Sequence, residues 1–235
     1  MIQSELLRSN DVLRDALATH LVTDAAGARI PLSSNIPLAY AEALFAFIRR
    51  ERPANVLEVG MAHGISTLAI LSALRLAGSG RLTSIDPHQS SYWRSIGTLN
   101  VDRAGLADIH EHIEKVSSSA LPWLVDRGTT IDFAYIDGWH TFDYALLDFW
   151  YIDRMLPVGG VVTFNDCDWH AVHKVIKFVL THRKYEEISV GLPKDFASTN
   201  PLGRIRRRLT GRNAADRYFR KVADWEPRYD YFKNF

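Results

Sequence analysis

The chain has 235 residues, of which 47% are hydrophobic and 23% charged, and its formal net charge is +1. This composition is typical of one globular domain with an ample core, and it excludes disorder over most of the length. The near-neutral charge indicates neither a nucleic-acid nor an acidic partner. The single cysteine, Cys167, excludes a disulfide within the chain.

The first 50 residues predict a helical cap in front of the first strand. Apolar residues recur at helical spacing over residues 3–20, and a second helix over residues 36–53 closes with arginines and a proline. Residues 24–35 between them form a turn-rich connector. The N-terminal segment lacks the long apolar run of a signal peptide or a transmembrane helix, which favours a cytoplasmic protein.

Strands and helices alternate after this cap. Apolar runs predict six strands, each followed by a turn or an amphipathic segment, at residues 54–60, 81–86, 107–116, 131–137, 159–166 and 185–192. Such alternation predicts an α/β fold, Rossmann-like and doubly wound, with a mostly parallel sheet and helices on both faces. We expect this core over residues 51–192 and a basic, aromatic extension over residues 193–235.

Two glycines, Gly60 and Gly64, lie in the turn "LEVGMAHGIST" between the first strand and its helix. A backbone without side chains lets a ligand approach closely, and the helix start offers free N–H groups. The turn lacks the lysine of a P-loop and the spacing of the dinucleotide fingerprint G-x-G-x-x-G. The glycines alone are equally compatible with tight packing between helix and strand.

Two acids make a ligand site the better interpretation of this turn. Glu58 lies near the tip of the first strand, and Asp86 ends the second. An acid at the second tip is placed to accept both hydrogen bonds of a ribose diol. Together with the glycines, these acids indicate a cofactor that carries a nucleoside.

The pattern "VLEVGMAHGISTLAIL … LTSIDPH" resembles the first two motifs of class I S-adenosylmethionine-dependent methyltransferases, and the resemblance extends over residues 36–190. The segment "IEKVSSSALPWL" is similar to the one after their third strand, although Val116 replaces the usual acid. The resemblance implies S-adenosylmethionine as cofactor, with contacts from Glu58, Gly60, Gly64, Ser66, Asp86, Pro87, His88, Ser117 and Asp137.

A second stretch, "YIDGWHTFDYALLDFWYIDRMLPVGGVVTFNDCDWH", resembles a narrower group, the macrocin-type and other sugar O-methyltransferases, also described as methyltransferase 24-like. This group carries Asp-x-x-His after the fourth strand and an acidic pair after the fifth. The resemblance implies metal ligation and base catalysis at Asp137, Asp166 and His140. Asn165 stands where the group has another carboxylate ligand.

The residues support the same chemistry without the family. Parallel strands lie about 5 Å apart, so Asp137, Asn165 and Asp166 at neighbouring tips can converge. Clustered oxygens suit a hard cation such as Mg²⁺, Mn²⁺ or Ca²⁺, which makes a nearby alcohol more acidic. His140, one turn past Asp137, can then take the hydroxyl proton as the catalytic base.

Each of these residues also has a plain structural interpretation. Asp137 could cap the helix beginning near Thr141, Asp166 or Asp168 could cap the helix beginning near residue 170, and His140 could be a packed surface histidine. A zinc site is a rival whose three candidate ligands are close in sequence, namely Cys167, His170 and His173.

The C-terminal extension is rich in basic residues. Its sequence is compatible either with an ordered segment that wraps around the core or with a flexible appendage. One interpretation is contact with phosphate on a lipid-linked glycan, an anionic membrane surface or nucleic acid. The other, which we favour on composition, is a solvated helix face or pairing with acids of the core. Exposed aromatic residues there would also suit a homodimer. The basic residues are Arg204, Arg206, Arg207, Arg208, Arg212, Arg217, Arg220 and Lys221.

The sequence therefore predicts an S-adenosylmethionine-dependent O-methyltransferase that acts on a hydroxyl of a small-molecule or glycan acceptor, a sugar or natural product. A divalent cation would assist the reaction, and Mg²⁺ is the expected ion. An NAD-type oxidoreductase and a degenerate methyltransferase-fold module that binds anionic polymers are the alternatives. Methyl transfer to an amino group is disfavoured, because the Asn/Asp-Pro-Pro-aromatic signature of that chemistry does not follow the fourth strand.

Overall fold

The computed structural model describes residues 4–196 and 201–235. The chain divides into two compact units, Met1–Ala120 and Leu121–Phe235, which are described one after the other. Residues 197–200 of the predicted extension and residues 1–3 of the predicted cap lie outside the described part. None of the helices in the described part combines the length and the hydrophobicity that crossing a bilayer requires.

The first unit begins with two short helices where the sequence predicts one. Helix α1 spans Glu5–Ser9 and helix α2 spans Asp11–Thr19. Asn10 separates them, because its backbone is extended and its Oδ1 accepts a hydrogen bond from the Leu13 N–H at 2.9 Å. This side chain caps α2 in the way that favours Asn at a helix start rather than inside a helix.

The predicted connector also contains regular structure. Strands β1 (Leu21–Thr23) and β2 (Arg29–Pro31) form an antiparallel hairpin, so the turn-rich connector predicted over residues 24–35 also contains a short strand. Both strands have only three residues, too few for an alternating pattern to be recognised. Helix α3 (Leu38–Glu51) follows, as predicted.

The rest of the first unit alternates strands and helices. The three strands are parallel in the order β5-β4-β3, and their register pairs Val59 with Ile85 and Ile85 with Ile113, so their carboxyl ends share one edge. The elements are β3 (Asn55–Val59), α4 (Ile65–Ala77), β4 (Arg81–Ile85), α5 (Ile96–Arg103), a 3₁₀ turn (Ala107–Ile109) and β5 (His110–Ile113).

Helix α5 begins later than the sequence predicts. The pattern favours a helix from residue 91, but Arg94 and Ser95 have positive φ angles of 52° and 55°. Two consecutive residues in the left-handed region cannot continue a right-handed helix. The residues between Asp86 and α5 are therefore a turn-rich loop that borders the edge of the strands.

Helix α6 (Ser117–Asp126) crosses the boundary between the units, and the second unit continues the alternation. Its four strands have the order β6-β7-β9-β8, in which β6 and β7 are parallel and β9 is antiparallel to both neighbours. The elements are β6 (Phe133–Ile136), α7 (Phe142–Met155), β7 (Val161–Phe164), α8 (His170–His182), β8 (Lys184–Ile188), α9 (Pro201–Thr210) and β9 (Arg217–Ala223).

Strand β9 comes from the stretch that the sequence predicts as an extension. It lies between β7 and β8, with Tyr218 and Phe219 fully buried. Its charges are paired, since Arg217 binds Glu187 at 2.7 Å and Lys221 lies 3.3 Å from Asp153. Alternating mostly parallel strands and helices confirm the predicted α/β, Rossmann-like fold class.

Candidate active site

The loop after β3 in the first unit is shaped by its two glycines. Gly60 and Gly64 have φ angles of 91° and 85°, a region that glycine adopts readily and other residues do not. A Cβ on Gly64 would lie 3.3 Å from the backbone of Gly97, so the loop also passes close to α5. Gly64 is the N-terminal cap of α4, whose first N–H groups face this loop.

The carboxylate of Asp86 holds the backbone of the same loop. It is buried, and its Oδ2 accepts hydrogen bonds from the N–H groups of Met61 at 3.1 Å and Ala62 at 2.8 Å. Its Oδ1 accepts the N–H of His88 at 2.8 Å. A ribose diol, the predicted partner of Asp86, would have to share these oxygens with the loop.

Glu58 and Ser66 lie beneath the loop and bind each other. The Glu58 carboxylate is fully buried and accepts the hydroxyl groups of Ser66 and Thr67, both at 2.6 Å, and of Ser84 at 2.7 Å. These bonds fix the start of α4 against β4. These hydrogen bonds support the loop, and the direct cofactor contact that the resemblance implies for Glu58 and Ser66 stays a prediction.

The remaining predicted cofactor residues of the first unit follow β4 and β5. Pro87 is half-buried and His88 is exposed, directly after Asp86, while Ser117 is buried at the first turn of α6. The Asp86 N–H donates to the carbonyl of Ile113 at 3.2 Å, which holds the end of β5 beside this loop. The structure thus gathers loops from three strand ends at one edge of the first unit.

A half-buried histidine continues the hydrogen bonds under this loop. His110 Nε2 lies 3.0 Å from the Ser84 hydroxyl, which in turn donates to Glu58. Burial, together with the nearby His112, lowers the pKa of His110 to about 4. His110 is therefore neutral near pH 7, and the sequence gives no signal for this role.

In the second unit, Asp137, His140 and Asp166 come together after β6 and β7. Their ligand atoms all lie within 4.8 Å of one another, and they are the only group of three or more acidic, histidine or cysteine residues of this kind within residues 4–196 and 201–235. The parallel register pairs Ile136 with Phe164, so the residues following each strand are neighbours. The structure thus brings Asp137 and Asp166 together as the sequence predicts, with His140 beside them.

His140 lies between the two carboxylates. Its Nε2 is 3.4 Å from Asp137 Oδ1 and 3.3 Å from Asp166 Oδ2, and it is buried without a hydrogen-bond partner in the described part of the chain. Burial acts to lower the pKa of His140, but the two carboxylates outweigh it and raise that pKa. Burial raises the pKa of Asp137 and of Asp166.

The capping interpretations of these acids are not borne out. Thr141 is the N-cap residue of α7 and Trp169 that of α8, and neither helix has a side-chain capping bond. Asp168 instead forms an ion pair with Arg207 at 2.7 Å. Asp166 has a φ of 49°, an unusual backbone conformation of the kind that recurs at functional sites.

Asn165 is oriented by the carboxylate of Asp216, for which the sequence gives no signal. Its Nδ2 donates to Asp216 Oδ1 at 2.8 Å, and the Tyr135 hydroxyl donates to Asp216 Oδ2 at 2.8 Å. Burial raises the pKa of Asp216 to about 7 against the effect of these two bonds. With its nitrogen engaged, Asn165 can offer only Oδ1 to a cation.

The rival zinc site does not form. Cys167 is fully buried, its thiol donates to the Phe164 carbonyl at 2.9 Å, and burial raises its pKa. His170 Nε2 faces Arg212 at 3.1 Å. Neither of these residues nor His173 joins a group of potential metal ligands in the described ranges.

Two indole rings border the acidic cluster. Trp139 and Trp169 are both more than half exposed, and the Trp169 ring centre lies 5.0 Å from that of His140. Their exposed rings place two apolar faces, each with an N–H group, next to the acidic cluster.

A family model described as a methyltransferase domain matches residues 57–167, from β3 to the residue after Asp166. This match, over 111 of the 235 residues, agrees with the predicted class I S-adenosylmethionine-dependent methyltransferase. No curated protein matches the sequence.

Similar solved structures cover nearly the whole chain. The O-methyltransferase from Bacillus cereus in complex with SAH has a TM-score of 0.66 and 14% identity over 95% of this chain and 93% of that chain. The O-methyltransferase TomG from Streptomyces achromogenes, involved in tomaymycin synthesis and in complex with SAM, has a TM-score of 0.63 and 16% identity over 94% and 92%. At such identities these likenesses show the fold.

Proposed function

We propose that the protein transfers a methyl group from S-adenosylmethionine to a hydroxyl of a sugar or natural-product acceptor, assisted by a divalent cation. The observation that carries the proposal is the convergence of Asp137, His140 and Asp166 after the parallel strands β6 and β7, within the residues that match a methyltransferase domain. Oxygen is favoured over nitrogen because the residues after β6 are Asp-Gly-Trp-His, which lack the signature of amino-group transfer.

The first unit would hold the cofactor, which supplies the methyl group on a positively charged sulfur. The loop of Gly60 and Gly64 leaves space for close approach, and Asp86 fixes the backbone of this loop by two hydrogen bonds. The similar Bacillus cereus and Streptomyces achromogenes structures are complexes with SAH and SAM, which supports this ligand.

His140 would accept the proton of the acceptor hydroxyl at Nε2. A base is useful only when it is close to the reacting group and its pKa is near the working pH. The carboxylates of Asp137 and Asp166, at 3.4 and 3.3 Å, stabilise the protonated ring. The same two charges raise the pKa of His140 and make it a stronger base.

The donor atoms fit a hard divalent cation. Two carboxylates, Asp137 and Asp166, and the Oδ1 of Asn165 are oxygen ligands of the kind that Mg²⁺, Mn²⁺ and Ca²⁺ prefer. Such a cation, when bound, makes a neighbouring hydroxyl more acidic. One neutral ligand in place of a carboxylate predicts weaker affinity than three charged ligands would give.

Trp139 and Trp169 would form walls for the acceptor. Their exposed rings offer flat apolar faces, which suit the C–H face of a sugar or the plane of an aromatic natural product. His140 lies against one of these rings, so an acceptor that stacks there has its hydroxyl within reach of the base.

Titration calorimetry with S-adenosylhomocysteine tests the cofactor, and a panel of sugar and phenolic acceptors tests the reaction. Asp137→Ala should lower turnover by at least about 100-fold, because it removes a charge beside the base and the cation, while binding of S-adenosylhomocysteine largely remains. Glu186→Gln, at an exposed acid on β8, is the control and should keep full activity.

Two outcomes would change this proposal. Folded protein that fails to bind S-adenosylhomocysteine at high concentration contradicts methyl transfer itself. Equal activity with and without a chelator removes the cation and leaves Asp137 and Asp166 as partners of His140 only.

A further inference from the structure

Helix α9 has a composition unlike any other helix of the chain. Its ten residues, Pro201–Thr210, read "PLGRIRRRLT" and contain four arginines, three large apolar residues and no acid. Leu202, Ile205 and Leu209 are 79%, 55% and 84% exposed. Single exposed apolar side chains are common, but a contiguous patch of them is typical of an interaction surface.

These three apolar residues share one face. Their spacing of three and four residues places them within an arc of about 60° around the helix axis. Arg206 and Arg208 flank this arc on its two sides by the same spacing. An apolar stripe between basic residues is the pattern of a helix that lies flat in a membrane interface.

The opposite side of α9 is fastened to the second unit. Arg207, which points away from the apolar arc, forms an ion pair with Asp168 at 2.7 Å. Just beyond the helix, Arg212 donates from Nε to the Asp168 carbonyl at 3.1 Å. These bonds hold α9 with Leu202, Ile205 and Leu209 facing solvent.

From this arrangement we propose that α9 docks the protein on an anionic lipid surface. The apolar arc would enter the boundary between head groups and acyl chains, and the flanking arginines would contact lipid phosphates. The formal net charge of the whole chain is only +1, so the attraction comes from this local patch of positive charge rather than from the protein as a whole.

Other occupants fit the helix less well. In a pair of α9 helices from two copies, arginines would face arginines, and neither helix offers an acid to neutralise them. A nucleic acid would use the arginines but would leave the three apolar side chains in water. An anionic lipid surface uses both the arginines and the apolar arc of the helix.

Flotation of the full chain with vesicles tests the proposal. The protein should bind vesicles of phosphatidylcholine mixed with phosphatidylserine and should not bind phosphatidylcholine alone, and added salt should weaken the binding. The double variants Leu202→Ser/Leu209→Ser and Arg206→Gln/Arg208→Gln should each lose at least about fivefold in binding with an unchanged melting temperature. Leu76→Ser on α4 and Arg81→Gln on β4 are matched controls at exposed positions and should bind like the parent.

Several results would overturn the inference. If the serine variant still binds anionic vesicles, or if free inorganic phosphate abolishes the binding, the contact is with phosphate alone. If the protein binds duplex DNA more tightly than vesicles and the serine variant does so too, the partner is a nucleic acid. If light scattering shows self-association that the serine substitutions remove, the partner is a second copy of the chain. None of these measurements uses methyl transfer, so this inference and the proposed function can fail separately.

Discussion

At the scale of single residues, Asp216 lies outside the acidic cluster but holds Asn165, the residue before Asp166, in place. It binds the amide of Asn165 and the hydroxyl of Tyr135, and all three are buried. Asp216→Ala leaves two buried polar groups without partners, each worth about 1–3 kcal/mol. We expect the free energy of unfolding to fall by about 2–5 kcal/mol, measured by urea denaturation.

Asp224→Ala provides the control for this substitution. Asp224 binds Lys221 at 2.8 Å, but its side chain is mostly exposed, so its loss should cost under about 1 kcal/mol. If both variants unfold like the parent, Asp216 does not support Asn165 in the way that the hydrogen bonds indicate.

His110 predicts a dependence of stability on pH. Its pKa is about 4 in the folded protein, whereas the ordinary value of 6.5 applies in the unfolded chain. The unfolded chain therefore binds the proton more readily. Stability from this residue is complete above pH 6.5 and is lost as the pH falls toward 4, by up to about 3 kcal/mol. His110→Gln should therefore show a shallower fall of the free energy of unfolding between these pH values.

The comparison needs an exposed histidine outside these hydrogen bonds. His88 is exposed on the loop after β4, and His88→Gln removes an imidazole without touching Ser84 or Glu58. An identical slope for His110→Gln and the parent would mean that His110 is accessible to protons in the folded state.

At the scale of elements, the strands predicted from apolar runs were found wherever the run is long and buried on both faces. All four residues of β6 and of β7 are buried, which is the pattern of a central parallel strand. Strand β9 escaped prediction because three of its seven residues are basic, and its burial depends on partners distant in sequence, Glu187 and Asp153. Local patterns carry no information about such partners.

Strand β9 can be tested by two tyrosines of the same C-terminal stretch. Tyr218 is fully buried on β9, and Tyr218→Ala should cost about 3–5 kcal/mol because it leaves a cavity in the core. Tyr229 is 98% exposed, and Tyr229→Ala should change the free energy of unfolding by less than about 0.5 kcal/mol. Equal, small effects in both variants would mean that β9 is not part of the stable sheet.

At the scale of the whole molecule, the sequence predicts which residues are chemically important better than it predicts what they touch. Asp137, His140 and Asp166 lie together as expected, because strand ends and helix spacing follow from short-range pattern. The roles of Asp86, as a holder of its loop, and of Asp216, 51 residues beyond Asn165, depend on contacts that only the folded chain defines.

The position of β9 has a consequence for how the protein is made. Strand β8 pairs only with β9 in the described part of the chain, and β9 is also the partner of β7. During translation, β7 and β8 therefore leave the ribosome before their common partner exists. Strand β9 is synthesised only after about thirty further residues, from Ile188 to Arg217. A nascent chain interrupted in this interval would expose two unpaired edges at once, which makes it a substrate for chaperones or a seed for aggregates.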